Sequence, residues 1–442
     1  MKRFVLVNSP IYWETTSEEE EYLSPLGLGY IATYLKKAGL EVILLDCVKE
    51  KLGVKDVLKQ ISVIKPEFVG INIFTQNYEL VKHIIEKMPV QCECFVGGQV
   101  VKSIYDNILD WRTDNKFNII IGEGEFIIPQ IVLERYAEKV FRQRNNKFVY
   151  KVDKESQYFP NDISKIYLDR EFLKNEIIVN HYSKKEAAIV TSRGCAYDCA
   201  FCGGARGLNK DITIRMRDAE SIKHEIAELC SLYPDLQSIR ILDDLFLRNK
   251  ASISQAADIF KGFPQLQWRG MVHVLSLVNC LDKVQMLKDC NCKELFIGIE
   301  SGSATIRKRI NKLGSVSDVI NVISEILASG IDVKGYFMYG FPEETKADME
   351  ETYDLACKIK DLSEKYMGVF RPSVFQFRPY HGTKLYNEIA QKGIEIPNCS
   401  YNALVYTSEG RGQFNFSSGN YSKVSDKILE EYIIKTQKIM EA

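Results

Sequence analysis

Short apolar runs separated by stretches of helical period recur along most of the chain, and this rhythm limits the possible folds more than any other feature. Over residues 1–136 the runs are Phe4-Val5-Leu6-Val7, Val42-Ile43-Leu44-Leu45, Phe68-Val69-Gly70-Ile71-Asn72-Ile73, Cys94-Phe95-Val96 and Asn118-Ile119-Ile120-Ile121. A strand that is apolar on both faces belongs inside a parallel sheet covered by helices, so this region reads as a doubly wound α/β domain. Ligands in such domains bind beyond the carboxyl ends of the strands. Those ends carry Asn8-Ser9-Pro10, Thr75-Gln76-Asn77, Gly97-Gly98-Gln99 and Gly122-Glu123-Gly124-Glu125. Glycine there lets a ligand approach the backbone, but it is also plain turn chemistry, so only the ordered set is informative.

The rhythm lapses over residues 137–186. Val140 to Tyr150 reads as a hairpin about Asn145-Asn146, and the remainder as a connector whose charged segment, Asp169 to Glu176, is expected on the surface. It resumes at Ala187 and continues through Ile239–Leu242, Trp268–Val272, Leu295–Ile299, Val333–Met338 and Val374–Phe377. Parallel strands with crossover helices over 187–398 predict a partial (β/α)6 TIM barrel, whose chemistry gathers at the carboxyl-terminal strand ends. Residues 399–442 form an extension with a polar stretch, Tyr406 to Gly419, and an amphipathic helix from Lys423 to Met440. The acidic run Glu18 to Glu21 reads as a solvated loop.

Directly after the first barrel strand, Cys195, Cys199 and Cys202 stand in a C-x3-C-x2-C spacing. Three thiols crowded into eight residues are reactive and poorly suited to packing, so a metal is their natural partner. A structural zinc site or a closed iron-sulfur cluster wants four ligands. The nearest further candidates are His181 and Cys230, neither adjacent. Two readings remain: a zinc knuckle completed from afar, or a four-iron cluster with one iron open. Other polar residues also follow barrel strands. Asp243-Asp244 suit an ammonium or a ribose hydroxyl, or a helix N-cap. Glu300-Ser301 open a glycine-serine turn, Glu343-Glu344 suit a helix start, and Pro379 to Thr383 follow the last strand. Trp268, His273, Tyr336, Arg378 and Tyr380 face either a substrate or the packing. Arg215 and Arg217 form a basic pair that suits a place in the site and a surface pairing with nearby acids equally well. Cys280, Cys290 and Cys292 are too loosely spaced to define a second centre.

The cysteine motif with Phe201 before its third cysteine, the glycines Gly203-Gly204 after it, the G-x-E-S-G-S stretch at Gly298–Ser303 and the turn at Pro379–Thr383 together resemble the radical S-adenosylmethionine (SAM) superfamily. The ordered strand ends of the first domain, with Ser24-Pro25-Leu26-Gly27-Leu28-Gly29-Tyr30, resemble the Rossmann-like cobalamin-binding domain of its class B methyltransferase branch. The resemblance implies a [4Fe-4S] cluster on Cys195, Cys199 and Cys202, and SAM held near Phe201, Gly203, Asp243, Asp244, Glu300 and Ser301. It implies cobalamin over Thr75, Gln76, Gly97, Gly98, Gln99, Gly122, Glu123 and Gly124, with Gly98 the glycine whose replacement by valine would block it. The D-x-H-x-x-G motif of histidine-on cobalamin proteins is absent, and His83 lies within a helix pattern.

By the same resemblance, SAM is cleaved to a 5'-deoxyadenosyl radical that removes a substrate hydrogen, and an unactivated carbon of a small metabolite is methylated. A non-methylating epimerase, dehydratase or cyclase is the competing reading, and a binding-only regulatory module a third. An external electron donor such as flavodoxin or ferredoxin is expected. Lys and Arg number 58 against 59 Asp and Glu in 442 residues, which points to neither nucleic acid nor an anionic membrane. Without a bilayer-length apolar run or signal peptide, and with an oxygen-sensitive cluster, a cytoplasmic location is expected.

Overall fold

A computed structural model describes residues 2–13, 22–174, 176–396 and 419–441. The acidic run at Glu18–Glu21 and most of the polar stretch at Tyr406–Gly419 lie outside the described residues. The first domain is built on strands β1 (Arg3–Asn8), β2 (Glu41–Asp46), β3 (Phe68–Asn72), β4 (Glu93–Gly97), β5 (Lys116–Ile121), β6 (Arg142–Arg144) and β7 (Lys147–Lys151). Their order in the sheet is β2-β1-β3-β4-β5-β7-β6. All neighbours are parallel except β6 and β7. Chain order reverses between β1 and β3, and a crevice opens above such a switch point. The apolar runs fill cores on the two faces of the sheet, one around Val5, Ile71, Val96 and Ile119, the other around Phe4, Leu6, Phe95 and Ile120.

The hairpin forms at 142–151, and it is not free-standing. Its second strand pairs with β5, Phe117 opposite Lys147 through Ile121 opposite Lys151, and extends the first sheet. The connector that follows is not loose either. Ile163, Ile166, Leu168 and Leu173 pack with Leu26 and Tyr30 of the helix Leu26–Lys37 and with Ala188 of the barrel. The charged segment Asp169–Glu176, expected on the surface, buries Arg170 and Glu176. Arg170 donates to Glu176 (2.5 Å) and to Glu225 of the first barrel helix.

The second domain comprises β8 (Ile178–Val179), β9 (Lys185–Ile189), β10 (Ser192–Arg193), β11 (Arg215–Met216), β12 (Ser238–Ile241), β13 (Gln267–Val272), β14 (Cys292–Glu300), β15 (Asp332–Tyr339) and β16 (Phe370–Gln376). Its large sheet runs β16-β15-β14-β13-β12-β9-β8. The six predicted strands are the parallel ones, and β8 caps the β9 edge antiparallel. The short pair β10 and β11 frames the cysteine loop. At the opposite end of the barrel, Arg269 donates to Glu186 and Glu294 (2.8 and 2.9 Å), a charged set inside an otherwise apolar core.

Removing one partner of a buried ion set strands the others and costs about 3–5 kcal/mol. Arg170→Met leaves Glu176 without its cation, so a loss of that order is expected as a lower urea or thermal midpoint, whereas a surface connector would tolerate the change within about 0.5 kcal/mol.

Candidate active site

The cysteine loop is held open from below. Asp243, buried at the end of β12, accepts from the Thr191 N–H (2.7 Å), the Thr191 hydroxyl (2.6 Å) and the Ser192 hydroxyl. Both its oxygens are taken up in fixing the approach to Cys195. Its neighbour Asp244 points the other way and is exposed to two cavities that meet at the loop. Surrounding protein raises the Asp244 pKa, and Arg248 beside it opposes that shift. Arg248 donates through Nη2 to Ser192 Oγ (2.7 Å) and Gly194 O (3.0 Å), while its Nε and Nη1 have no partner among the described residues. Of the predicted carboxylate pair, then, one anchors the loop and one is available to a ligand.

Burial raises all three thiols, Cys202 to about 12. A bare thiolate is therefore disfavoured at each, and a cationic metal cluster is what makes three of them favourable together. The Gly204 N–H donates to Cys202 Sγ (3.3 Å), and Lys312 and Arg307 place positive charge near Cys199. Among the described residues no three His, Cys, Asp or Glu side chains close around a single ion, as a zinc knuckle would require. Cys280, Cys290 and Cys292 are buried in the barrel core, Cys290 donating to the Leu287 carbonyl.

Of the remaining predicted SAM positions, Glu300 sits in the left-handed region (φ 66°), buried and paired with Lys312 (3.2 Å). A Cβ on Gly298 would fall 2.3 Å from the Glu300 carboxylate, so glycine there makes room for this pair. Ser301 is turned into the wall, its hydroxyl on Thr352 (2.9 Å). The Phe201 ring packs on Phe341. Gly203 approaches the first domain so closely that a Cβ would lie 2.9 Å from the Gln99 amide. Two predicted positions from different domains thus touch.

The first cavity, about 630 Å³, is bounded by Asn8, Asn72, Gly97, Gly98, Gln99 and Gly122–Glu125 from the first domain and by Arg193, Gly194 and Asp244 from the second. Thr75 and Gln76 do not line it. The Thr75 hydroxyl instead meets His381 of the last barrel loop (3.1 Å to Nδ1) and fastens the domains together. Gly98 has φ 140°, and a Cβ there would lie 2.3 Å from the Ile73 carbonyl oxygen, so valine at 98 would disturb the sheet rather than report on the cavity. Gly97, whose Cβ would meet nothing closer than 3.8 Å, is the better probe.

The bridge over this cavity was not foreseen. Glu123 accepts from Arg193 (2.7 Å) and Arg215 (2.5 Å), and Glu125 from Arg193 (2.5 Å). Arg215 and Arg217, for which a surface pairing was one of two equal readings, are buried, the latter on Glu225. Arg193 stood in plain sight two residues before Cys195, but its partners lie some 70 residues away.

Comparison with known proteins agrees with this arrangement. Residues 189–356 match the radical SAM superfamily, and residues 17–132 match the B12 binding domain. The chain belongs to the radical SAM enzymes that carry a B12-binding domain, with a [4Fe-4S] cluster, SAM and cobalamin as cofactors. It is similar to an uncharacterized methyltransferase of Pyrococcus horikoshii, 26% identical over 389 residues, covering 82% of this chain and 77% of the relative. It is also similar to the anaerobic magnesium-protoporphyrin IX monomethyl ester cyclase of Rubrivivax gelatinosus, 23% identical, covering 80% of this chain and 65% of that one. The fold matches the cobalamin-dependent SAM radical enzyme OxsB, solved with aqua-cobalamin and SAM bound. That match has a TM-score of 0.68 at 14% identity, over 100% of this chain and 67% of OxsB. Among the described residues no helix is long and apolar enough to cross a membrane.

Cys195→Ala, Cys199→Ala and Cys202→Ala are each expected to abolish 5'-deoxyadenosine formation and to lower iron per chain after anaerobic reconstitution; undiminished iron in any of them contradicts the cluster assignment. Gly97→Val is expected to lose cobalamin on desalting while keeping its iron, and retention of both would place cobalamin elsewhere.

Proposed function

We propose that the chain methylates an unactivated carbon of a small metabolite or natural-product intermediate. The observation that carries this reading is the meeting of two cavities at Gly98, Gln99, Gly122, Gly194 and Asp244. One wall belongs to the domain assigned to cobalamin, the other to the cysteine loop, so groups held on either side face each other across adjoining cavities. When bound, the cluster and SAM supply a carbon radical, and cobalamin supplies a transferable methyl group.

The chain's own residues hold and shield. Asp244 and Arg248 stand side by side with opposite charge, a complement for the ammonium and carboxylate of an amino-acid moiety such as that of SAM. Lys312 compensates Glu300 close to Cys199, which leaves that carboxylate oriented by its partner. Gln99 against Gly203 closes the seam between the domains, and the connector packed at Leu168 and Leu173 seals it from behind. Excluding water in this way protects a radical from solvent.

A second reading keeps the radical and omits methyl transfer. It is favoured by the missing D-x-H-x-x-G motif and by the similarity to a cyclase. The products separate the two. Reconstituted anaerobically with iron, sulfide and hydroxocobalamin, then given SAM, a strong reductant and a substrate, a methylating enzyme is expected to release both S-adenosylhomocysteine and 5'-deoxyadenosine. Deoxyadenosine alone, with no methylated product, would establish the second reading.

Arg248→Met removes a charged donor worth about 1.5–3 kcal/mol, so SAM affinity is expected to fall roughly ten- to a hundredfold with iron content unchanged. Equilibrium binding of SAM to the reconstituted protein measures this, and unchanged affinity would remove Arg248 from the site.

A further inference from the structure

One buried polar group beside the cysteine loop has no role in the arrangement so far. His273 directly follows β13 and caps the helix Val274–Val278, with 5% of its surface exposed. Its ring stacks on Tyr197, the residue midway between Cys195 and Cys199, with centroids 3.7 Å apart and planes 23° from parallel. The Leu275 N–H donates to its Nδ1 (3.2 Å). An imidazole nitrogen that accepts carries no proton, so the neutral ring holds its hydrogen on Nε2. Burial, together with the charges of Lys312 and Arg307, lowers the His273 pKa to about 3, and the ring is neutral at ordinary pH. Nε2–H is thus a donor, and it has no acceptor among the described residues. An unanswered buried donor is costly, which implies an acceptor in the loaded enzyme.

The surroundings define the kind of acceptor. Lys312 and Arg307, the charged groups that act on His273, also act on Cys199, so the histidine faces the same positively charged side of the loop. Lys312 is already paired with Glu300 there, so what the neutral donor still lacks is an acceptor. An iron-sulfur cluster held by three thiolates is one, its sulfurs accept hydrogen bonds, and such bonds raise its reduction potential by favouring the more negative, reduced form.

We propose that His273 Nε2–H donates a hydrogen bond to the anionic sulfur of the cluster on the Cys195–Cys199 side, and so sets how readily the cluster is reduced. The inference rests on the cluster being held by Cys195, Cys199 and Cys202. Iron content and the EPR signal of the reduced cluster test that reading by themselves.

The potential tests the inference. In a redox titration of the reconstituted holoenzyme followed by EPR, His273→Phe keeps an aromatic ring against Tyr197 but loses the donor. Its midpoint is expected to move to more negative potential at unchanged iron content, and His273→Gln, which retains an N–H, to move it less. Equal midpoints in wild type and His273→Phe would overturn the proposal. So would a shift seen only after SAM is added, which would assign the donor to SAM. Wild-type enzyme labelled with 15N-histidine gives a check that needs no variant. Its reduced cluster is expected to show a weak 15N coupling by pulsed EPR, and the absence of that coupling would equally overturn the proposal.

Discussion

Everything the two domains do together depends on four charges. Arg193 and Arg215 flank the cysteine loop on β10 and β11, and Glu123 and Glu125 follow β5 in the first domain. Two cations and two anions, with Arg193 and Glu123 each shared between partners, neutralise one another where neither domain could bury its half alone. Arg215 is also held by the Pro160 carbonyl (2.8 Å), which draws the connector into the same network. A pair of this kind is poor glue but a good register mark: sliding one domain over the other by a residue would strand a charge. The cost of misalignment is therefore several kcal/mol at the place where the two cavities meet.

The set also explains why the loop Gly122–Glu125 has its composition. Gly122 (φ 100°) would drive a Cβ to 2.3 Å from the Val152 carbonyl oxygen, so the backbone turns tightly there. The turn presents Glu123 and Glu125 to the barrel while Gly122 and Gly124 leave the cavity wall bare. One short segment thus carries a steric role on one side and an electrostatic role on the other. The reading of Glu123 as a cofactor contact and its observed role as a bridge are compatible, since the residue lines the cavity that the bridge spans.

How much of this was legible in the sequence follows the range of the interactions. Strands and the cysteine loop were legible because apolar period and ligand spacing are local properties. The partner of a charge is not local. Arg170 meets Glu225 across 55 positions, and Arg193 meets Glu123 across 70, so Arg170 read as surface when judged by its neighbours and Arg193 drew no reading at all. Side-chain direction at a strand end was similarly hidden. Asp243 and Asp244 are adjacent, and successive residues of an extended chain point to opposite faces, so one of the two had to turn inward. Which one is decided by Thr191 and Ser192 on the neighbouring segment. Thr75 and Gln76 were assigned to the cavity by position after β3, but the short turn they form is taken up by His381 from the far end of the barrel.

The loop after the third cysteine couples the two cofactor sites mechanically. Asn209 donates to the carbonyls of Gly203 and Ala205 (both 2.9 Å), which stiffens the segment leaving Cys202. Further on, the same loop docks on the first domain: Lys102 donates to the Leu208 carbonyl (2.7 Å) and pairs with Asp211, and the Lys154 N–H donates to the Asp211 carbonyl (3.0 Å). Cys195, Gly204 and Asn209 through Ile214 form one side of the second cavity, and Gly98, Gln99 and Lys102 the other. A loop tied at one end to Cys202 and at the other to the first domain cannot shift at one end without loading the other. On the proposed assignment, ordering the cysteines around a cluster also fixes the wall offered to cobalamin, so the two sites are set by one loop and one ion network rather than by two independent domains.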